Sequence, residues 1–175
     1  MSNLEHNLKR QRGFTLIELL LYVSIVGGLL MAISMFFATT LESRVKNQSI
    51  SEVNQQGGVV MEYVTRTIRN ADSITTPAAG ASAASLTVAV PTGSLSPTIL
   101  NLNGTVFQVK EGAATAIPLT NSKIQVSSLS FKNLTRSGTP GVVQISFVVT
   151  RTNTSNRNEY SYQKTFTGSA ALRWP

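Results

Sequence analysis

The sequence contains no cysteine, a single histidine (His6) and a single aspartate (Asp72) among its 175 residues. The absence of cysteine excludes a disulfide scaffold, a thiolate zinc site and a thiol nucleophile. One histidine cannot form a multi-histidine metal cluster, and the glutamates are scattered along the chain instead of paired. The residue inventory therefore predicts neither a metal site nor a bound cofactor.

Charge is also scarce. Only 13% of the residues are charged, while 42% are apolar. Because a typical soluble domain carries about 25% charged residues, much of this surface must consist of neutral Ser, Thr, Asn and Gln. The many Ser and Thr residues come without a Gly-x-Ser-x-Gly elbow or a histidine partner. This composition argues against an ordinary cytosolic enzyme, and we predict that the chain is not an enzyme.

The apolar residues are concentrated in one run. Residues 14–41 read FTLIELLLYVSIVGGLLMAISMFFATTL, with Glu18 as the only side chain charged near neutral pH. A helix of about 25 residues rises roughly 37 Å, enough to cross a hydrocarbon core of about 30 Å. Lys9, Arg10 and Arg12 precede the run and favour a cytoplasmic N-terminus. A secretory signal is the alternative, but its apolar core usually spans only about 7 to 15 residues.

Glu18 needs an explanation, because a carboxylate inside an apolar membrane helix costs about 2.5–3.5 kcal/mol on insertion scales. The run itself contains no cation that could pair with it. One interpretation is that Glu18 has a functional partner outside the run. The alternative is that it lies shallow enough to reach water, or complements the helix N-terminus.

The residues around Glu18 resemble a known signal. The string Arg12-Gly13-Phe14-Thr15-Leu16-Ile17-Glu18-Leu19-Leu20, after a short basic leader, is similar to the class III signal of type IV prepilins and pseudopilins. The resemblance implies cleavage between Gly13 and Phe14 by a prepilin peptidase, which also methylates the new amino group of Phe14. Removal of leader residues 1–13 would leave 162 residues and lower the formal side-chain charge from +7 to +5.

The resemblance also implies a role for Glu18. In this family the glutamate pairs with the terminal amine of a neighbouring filament subunit, and here that amine would belong to Phe14. The implied partners are the prepilin peptidase, other pilins or pseudopilins, an inner-membrane assembly platform and, before assembly, membrane lipid. The implied location is the inner (cytoplasmic) membrane, with a single span and the C-terminal domain outside the cytoplasm, and then a pilus or pseudopilus.

The helical period continues beyond the apolar run, so residues 14–41 are predicted as the transmembrane and assembly helix and 42–72 as its amphipathic continuation. We expect one helix from about Phe14 to Ala71, interrupted or bent near Gly57-Gly58. Gly27-Gly28 is interpreted as a close-packing or hinge pair. Glu62 and Arg66 are spaced for an i,i+4 ion pair. The predicted core-facing stripe comprises Ile50, Val53, Gly57, Val60, Val64, Ile68 and Ala71.

Strand patterns follow a predicted surface loop at 75–85. Asn103-Gly104 is the strongest two-residue hairpin signal, and residues 151–159 are predicted as a polar loop. The predicted strands are 85–90, 99–102, 105–109, 123–134, 142–150 and 160–166. A long helix followed by strands predicts an α+β architecture, with residues 73–175 as a globular head. This matches the pilin fold, in which the helix packs on a C-terminal antiparallel sheet.

A finer resemblance concerns the subclass. Residues 60–71 and 166–173 are similar to the J class of minor pseudopilins and the W class of minor pilins. The lack of cysteine departs from pilins that close a C-terminal loop with a disulfide. A single aspartate also speaks against a calcium site like that of the major G-type pseudopilin, since such a site needs several oxygen ligands.

The sequence is compatible with three functions. The first is a structural subunit, a minor pilin or pseudopilin, of a type IV pilus, a type II secretion pseudopilus or a DNA-uptake filament. The second is a filament-borne module that binds DNA or a surface through basic loop residues, with Lys132, Arg136, Arg151 and Arg157 as candidates. No basic run or aromatic interleaving supports nucleic-acid binding. The third, a membrane-anchored envelope enzyme, lacks catalytic residues.

Overall fold

The computed structural model describes residues 13–154 and 157–173. The basic leader residues before Gly13, with Lys9, Arg10 and Arg12, and the C-terminal Trp174-Pro175 lie outside the described residues. The chain divides into two compact units, Met1–Glu42 and Ser43–Pro175. The first contains the apolar half of a helix, and the second contains the rest of that helix and the strands.

The long helix is confirmed, and its bounds are Leu16–Arg69 (α1). Arg66 and Arg69 lie in its last turn, where they complement the negative end of the helix dipole. The predicted interruption at Gly57-Gly58 is wrong, because helical hydrogen bonding continues through both residues, and the alternative of a bend there stays a prediction. Gly57 is buried against the ring of Phe166, so packing supports the helix where intrinsic propensity is low.

The buried stripe of α1 follows the predicted spacing. Val53, Val60, Val64 and Ile68 are fully buried, and Gly57 lies on the same face. At the start of the stripe the prediction is off by one residue, because Ser49 is buried while Ile50 is half-buried. The Ser49 hydroxyl lies 3.0 Å from the carbonyl oxygen of Val45 and 3.3 Å from that of Glu159, which satisfies it inside the protein.

The predicted ion pair between Glu62 and Arg66 is wrong. In the described residues no ion pair within 4.0 Å joins them. The Arg66 guanidinium carbon instead lies 5.6 Å from the ring centroid of Tyr63. The Arg66 side chain therefore makes a cation–π contact with Tyr63 on the same helix instead of an ion pair with Glu62.

Nine strands follow the helix in the part of the chain that the structure describes. They are β1 (Ser73–Thr76), β2 (Ser82–Ala83), β3 (Leu86–Ala89), β4 (Thr98–Asn103), β5 (Val106–Glu111), β6 (Ile117–Pro118), β7 (Ile124–Asn133), β8 (Val142–Arg151) and β9 (Gln163–Ala171). They form two antiparallel sheets, one in the order β1-β3-β4-β5-β6 and one in the order β2-β7-β8-β9. The α+β class is confirmed, but the head contains two sheets where the sequence predicts one.

The sequence does not predict three of the strands, β1, β2 and β6. The predicted loop at 75–85 overlaps the end of β1 and all of β2, and no pattern predicts β6. Two of these strands are only two residues long, and the third, β1, carries a register irregularity against β3. Such short edge pairings depend on a neighbouring strand and leave no alternating pattern in the sequence.

Two strand ends also differ. Asn103 pairs with Val106, so the hairpin loop is Gly104-Thr105, one residue later than predicted. Gly104 has φ +60°, which suits the first loop position of a turn that requires glycine there. The predicted strand at 160–166 begins later, at Gln163, because a 3-10 turn occupies Asn158–Tyr160. The Lys46 ammonium donates to the carbonyl oxygen of Ser161 at 3.1 Å and holds this turn against α1.

The core lies where α1 and the inner faces of both sheets meet. Phe107 of β5 and Phe147 of β8 are fully buried, with ring centroids 6.2 Å apart, and they join the two sheets. The predicted inward face of β8 is confirmed, since all four of its apolar members are buried: Val143, Ile145, Phe147 and Val149.

The opposite face of the four-stranded sheet is exposed and almost free of charge. Ser146 and Thr167, paired across β8 and β9, lie within 3.4 Å of each other through their hydroxyl oxygens. The exposed hydroxyl and amide side chains on these strands include Gln125, Ser127, Gln144, Gln163, Thr165, Thr167 and Ser169. This neutral polar face agrees with the low charge content of the sequence.

Candidate functional site

The Gly13–Phe14 peptide bond lies in non-helical backbone, immediately before α1 begins at Leu16. Phe14 is 71% exposed. In the described part of the chain, no atom lies within 4 Å of the position that a Cβ on Gly13 would take. An exposed, non-helical bond beside a glycine can be drawn into a peptidase cleft, because the backbone is approachable and unconstrained by helical hydrogen bonds.

Thr15 caps the helix, and Glu18 lies in the first turn. The backbone N–H of Glu18 donates to the Thr15 hydroxyl at 3.3 Å and to the Thr15 carbonyl oxygen at 3.1 Å. Thr-x-x-Glu at a helix start is the spacing of a capping box. A carboxylate in the first turn also complements the positive end of the helix dipole. The alternative interpretation of Glu18, as a complement to the helix N-terminus, therefore agrees with its position.

The hydrogen bonds to Thr15 use the backbone N–H of Glu18, so its carboxylate is free to accept others. The Tyr22 hydroxyl donates to Oε1 of Glu18 at 3.4 Å. The Tyr22 ring stands edge-on to that of Phe14, with centroids 5.9 Å apart. Among the described residues, Glu18 makes no ion pair. Tyr22 thus contacts both the Glu18 carboxylate and the Phe14 ring, and the carboxylate remains open to an external cation.

The first half of α1 presents an apolar surface on every side. All residues from 16 to 39 are exposed within the chain. The most apolar stretch of 18 residues in α1 has a mean hydropathy of 2.3 and is long enough to cross a membrane by length and composition. A helix that is apolar all round requires lipid or other helices as its surroundings.

The few hydroxyl groups in this half are satisfied within the helix. Ser24 donates to the carbonyl oxygen of Leu20, and Ser34 to that of Leu30, each at 2.8 Å. Thr40 donates to the carbonyl oxygen of Phe36, also at 2.8 Å. These groups therefore need no water, which reduces the cost of placing them in hydrocarbon.

The glycine pair in this half lies in open surroundings. Apart from the neighbouring backbone of the helix itself, no atom in the described part of the chain lies within 4 Å of the position that a Cβ on Gly27 or Gly28 would take. Another helix could therefore approach the backbone closely at this point. The hinge or packing role of the pair stays a prediction.

The four basic residues considered for a binding module do not act as one surface. Lys132 and Arg136 are exposed. Arg151 is largely buried and pairs with Glu52, with 2.9 Å between Nη1 and Oε2. Arg157 pairs with Glu159. Two of the four cations are therefore already neutralised by neighbouring carboxylates.

Periodicity could not have revealed the pair between Glu52 and Arg151, because its members are 99 residues apart. Glu52 also accepts a hydrogen bond of 2.8 Å from the amide of Asn121. This hydrogen bond is the main cause of the lowered pKa of Glu52, with Arg151 and Lys123 adding to it and burial opposing it. The cluster connects the second half of α1 to β8 and to the segment before β7.

A second long-range contact lies near the end of α1. The Tyr63 hydroxyl donates to Oε1 of Glu111 on β5 at 2.9 Å. Burial, the hydrogen bond and the negative charge of Glu111 together raise the pKa of Tyr63 to about 12.

In the described residues, no group of three or more His, Cys, Asp and Glu side chains could hold a metal ion.

Comparison with protein families matches residues 8–39 to the prokaryotic N-terminal methylation motif. The match includes Gly13, Phe14 and Glu18 and supports the class of type IV prepilins and pseudopilins. Searches of curated proteins and of solved structures found no match. The matched segment ends before the residues similar to the J and W classes, so the subclass stays a prediction.

Together, the motif and the fold describe a prepilin-type chain with a pilin-like α+β architecture. The motif indicates processing and assembly with other pilins, and the apolar helix fits anchoring in the inner membrane before assembly. This class consists of structural subunits and is generally not enzymatic.

Proposed function

We propose that this chain is a minor pilin or pseudopilin, a structural subunit of a type IV pilus, a type II secretion pseudopilus or a DNA-uptake filament. The observation that carries the proposal is the register of the N-terminal motif. An exposed Gly13–Phe14 bond precedes a capped helix with Glu18 in its first turn and an apolar surface all round. Prepilin peptidase cleaves after Gly13 and methylates Phe14, and the inner-membrane assembly platform then transfers the subunit from lipid into the filament.

Glu18 serves assembly in this proposal. Cleavage creates an ammonium at Phe14, just before the start of α1 and four residues before Glu18. Each carboxylate pairs with the Phe14 ammonium of a neighbouring subunit, which neutralises both charges in apolar surroundings and sets the axial register. Removing one partner of a buried pair leaves an uncompensated charge that costs about 3–5 kcal/mol.

The matched substitutions Glu18→Gln and Glu42→Gln test this role. Both remove one negative charge and keep the side-chain size, but Glu42 lies in the amphipathic part of α1. We expect both variants to be cleaved, and mass spectrometry of the wild-type N-terminus to show N-methylated Phe14. Glu18→Gln should be incorporated into sheared filaments at least about tenfold less than wild type, which corresponds to about 1.4 kcal/mol, while Glu42→Gln should match wild type.

Two results would contradict the proposal. An intact leader in mass spectra of the native protein would exclude prepilin processing. Normal incorporation of Glu18→Gln would exclude the charge pair as the determinant of assembly, and the processing result would then still decide the class of protein independently.

The second candidate, a filament-borne module that binds DNA or a surface, has less support. Of the basic residues that suggested it, Arg151 and Arg157 are paired with carboxylates. Lys132 and Arg136 remain exposed and could contact phosphate. If they do, affinity of the full chain for duplex DNA should fall with added salt and with Lys132→Gln. Absence of binding at low salt would remove this candidate.

A further inference from the structure

A polar cleft lies beside the last turns of α1, between the helix and the segment that follows β3. Its volume is about 540 Å³, within the range of about 300–1,000 Å³ that is common for ligand sites. Arg66 and Arg69 from α1 and Arg173 from the chain end line one side. Val90, Pro91 and Leu95 line another side and give it an apolar wall.

The three arginines also line a second cleft of about 610 Å³, on the side of Phe166. They therefore lie between two concave surfaces, and we call Arg66, Arg69 and Arg173 the arginine wall. The backbone N–H of Arg173 donates to the carbonyl oxygen of Arg69 at 3.2 Å, which fastens the chain end to the end of the helix. Residues separated by more than a hundred positions are thus held at one place.

The charge of the arginine wall is not neutralised within the described chain, where none of the three arginines forms an ion pair within 4.0 Å. The Arg66 guanidinium is positioned over the Tyr63 ring. Of the two carboxylates that line the same cleft, Glu111 accepts the Tyr63 hydroxyl, and Asp72 lies at the surface. Three guanidinium groups therefore line a cleft that also contains two carboxylates, and the carboxylate of Glu62 lines the second cleft.

We propose that this cleft binds an acidic segment of a partner protein, with a carboxylate side chain on the arginine wall and an adjacent apolar side chain on Val90, Pro91 and Leu95. Guanidinium groups bind carboxylates through two parallel hydrogen bonds, which gives the contact both strength and orientation. Leu95 is 39% exposed and available for an apolar contact. None of the lining residues belongs to the N-terminal motif, and binding at this cleft does not depend on filament assembly.

The lining favours a peptide over a nucleic acid. A phosphodiester chain would gain nothing from the apolar wall. Base stacking needs exposed aromatic rings, and Tyr63, the aromatic side chain in the cleft, is half-buried with its hydroxyl already bonded. A peptide segment with an acidic residue beside an apolar one can contact both the arginine wall and the apolar residues Val90, Pro91 and Leu95.

The test uses the full chain in detergent micelles and NMR signals of the arginine side chains. The probe is an acetylated, amidated hexapeptide of alternating Glu and Leu, and its matched control replaces Glu with Gln. We expect the Glu peptide to shift the signals of Arg66, Arg69 and Arg173 with a Kd of about 1 mM or tighter. The Gln peptide should bind at least about tenfold more weakly, because it lacks the charge.

Matched double variants complete the test. Arg69→Gln with Arg173→Gln should weaken binding of the Glu peptide at least about tenfold. Lys132→Gln with Arg136→Gln removes the same charge from exposed positions elsewhere and should leave the Kd within about twofold. Unchanged circular dichroism should show that both variants stay folded.

Three results would overturn the proposal. They are the absence of arginine shifts with the Glu peptide, equal binding of the Glu and Gln peptides, and equal loss of binding in the two double variants. Tighter binding of duplex DNA than of the Glu peptide at the same arginines would also overturn it, in favour of a phosphate-binding surface.

Discussion

Adjacent glycines in α1 should respond in opposite directions to the same substitution. A Cβ on Gly57 would collide with the ring of Phe166, while a Cβ on Gly58 would meet no atom within 4 Å in the described part of the chain apart from the neighbouring backbone of its own helix. Alanine at either position favours the helix by about 1 kcal/mol over glycine. Gly58→Ala should therefore raise the free energy of unfolding of the head by about that amount.

At Gly57 the collision outweighs the propensity gain. The Phe166 ring is stacked on Phe147 with centroids 5.4 Å apart and an interplanar angle of 12°, so it cannot move without giving up that contact. Overpacking typically costs about 1–3 kcal/mol, and an aromatic pair contributes about 0.5–1.5 kcal/mol. We expect Gly57→Ala to lower the free energy of unfolding of the head by about 1–2 kcal/mol. Because Gly58→Ala raises it by about 1 kcal/mol, the two variants should differ by about 2–3 kcal/mol.

The assay is urea unfolding of the detergent-solubilised chain, followed by circular dichroism of the sheets. The slope of the transition should be unchanged, so that a shifted midpoint reports stability alone. Phe166→Leu in the Gly57→Ala background should cost less than it does in wild type, because the smaller side chain relieves the collision. Equal stability of Gly57→Ala and Gly58→Ala would refute the close approach of helix and ring.

Two further predictions concern titratable groups. Because the pKa of Glu52 is lowered from 4.5, its contribution is present at neutral pH and lost as the pH falls through the lowered value. Glu52→Gln should therefore lower the free energy of unfolding by about 1–3 kcal/mol at pH 7 and leave it unchanged in strong acid. The control Glu62→Gln, at a residue that forms no ion pair in the described residues, should change the free energy of unfolding by less than about 0.5 kcal/mol. Equal effects of the two substitutions at pH 7 would contradict the role of Glu52. For Tyr63 the pKa is raised from 10.0 to about 12, so its contribution holds below pH 10 and is lost as the pH rises through about 12. Phenolate absorbance should include a step near pH 12 that Tyr63→Phe removes. A titration that Tyr63→Phe leaves unchanged would contradict the contact with Glu111.

Features with a local cause were predictable from the sequence. The 3.6-residue spacing of Val53, Val60, Val64 and Ile68 identifies the buried face of α1, because a helix places such residues on one side. The alternation in β8 likewise identifies its inward side chains. The N-terminal motif is contiguous, so its residues could be named before any fold was known.

Features with a distant cause were not predictable. The partner of Glu52 is 99 residues away, and the chain end meets Arg69 through a backbone hydrogen bond that no side-chain pattern encodes. The two-residue strands β2 and β6 form only by pairing with a neighbouring strand. Ser128, with φ 53°, introduces an extra residue into β7 that shifts its pairing with β8, and serine there gives no warning of a bulge.

The exposed face of the four-stranded sheet has a consequence for the environments that the head can tolerate. Its Gln, Ser and Thr side chains attract water by hydrogen bonding instead of by charge. Dissolved salt shortens the reach of charge interactions, from about 30 Å at 0.01 M to about 3 Å at 1 M, but leaves the hydrogen bonds of a neutral hydroxyl to water largely intact. A head coated in this way should keep the same hydration in fresh water and in brine.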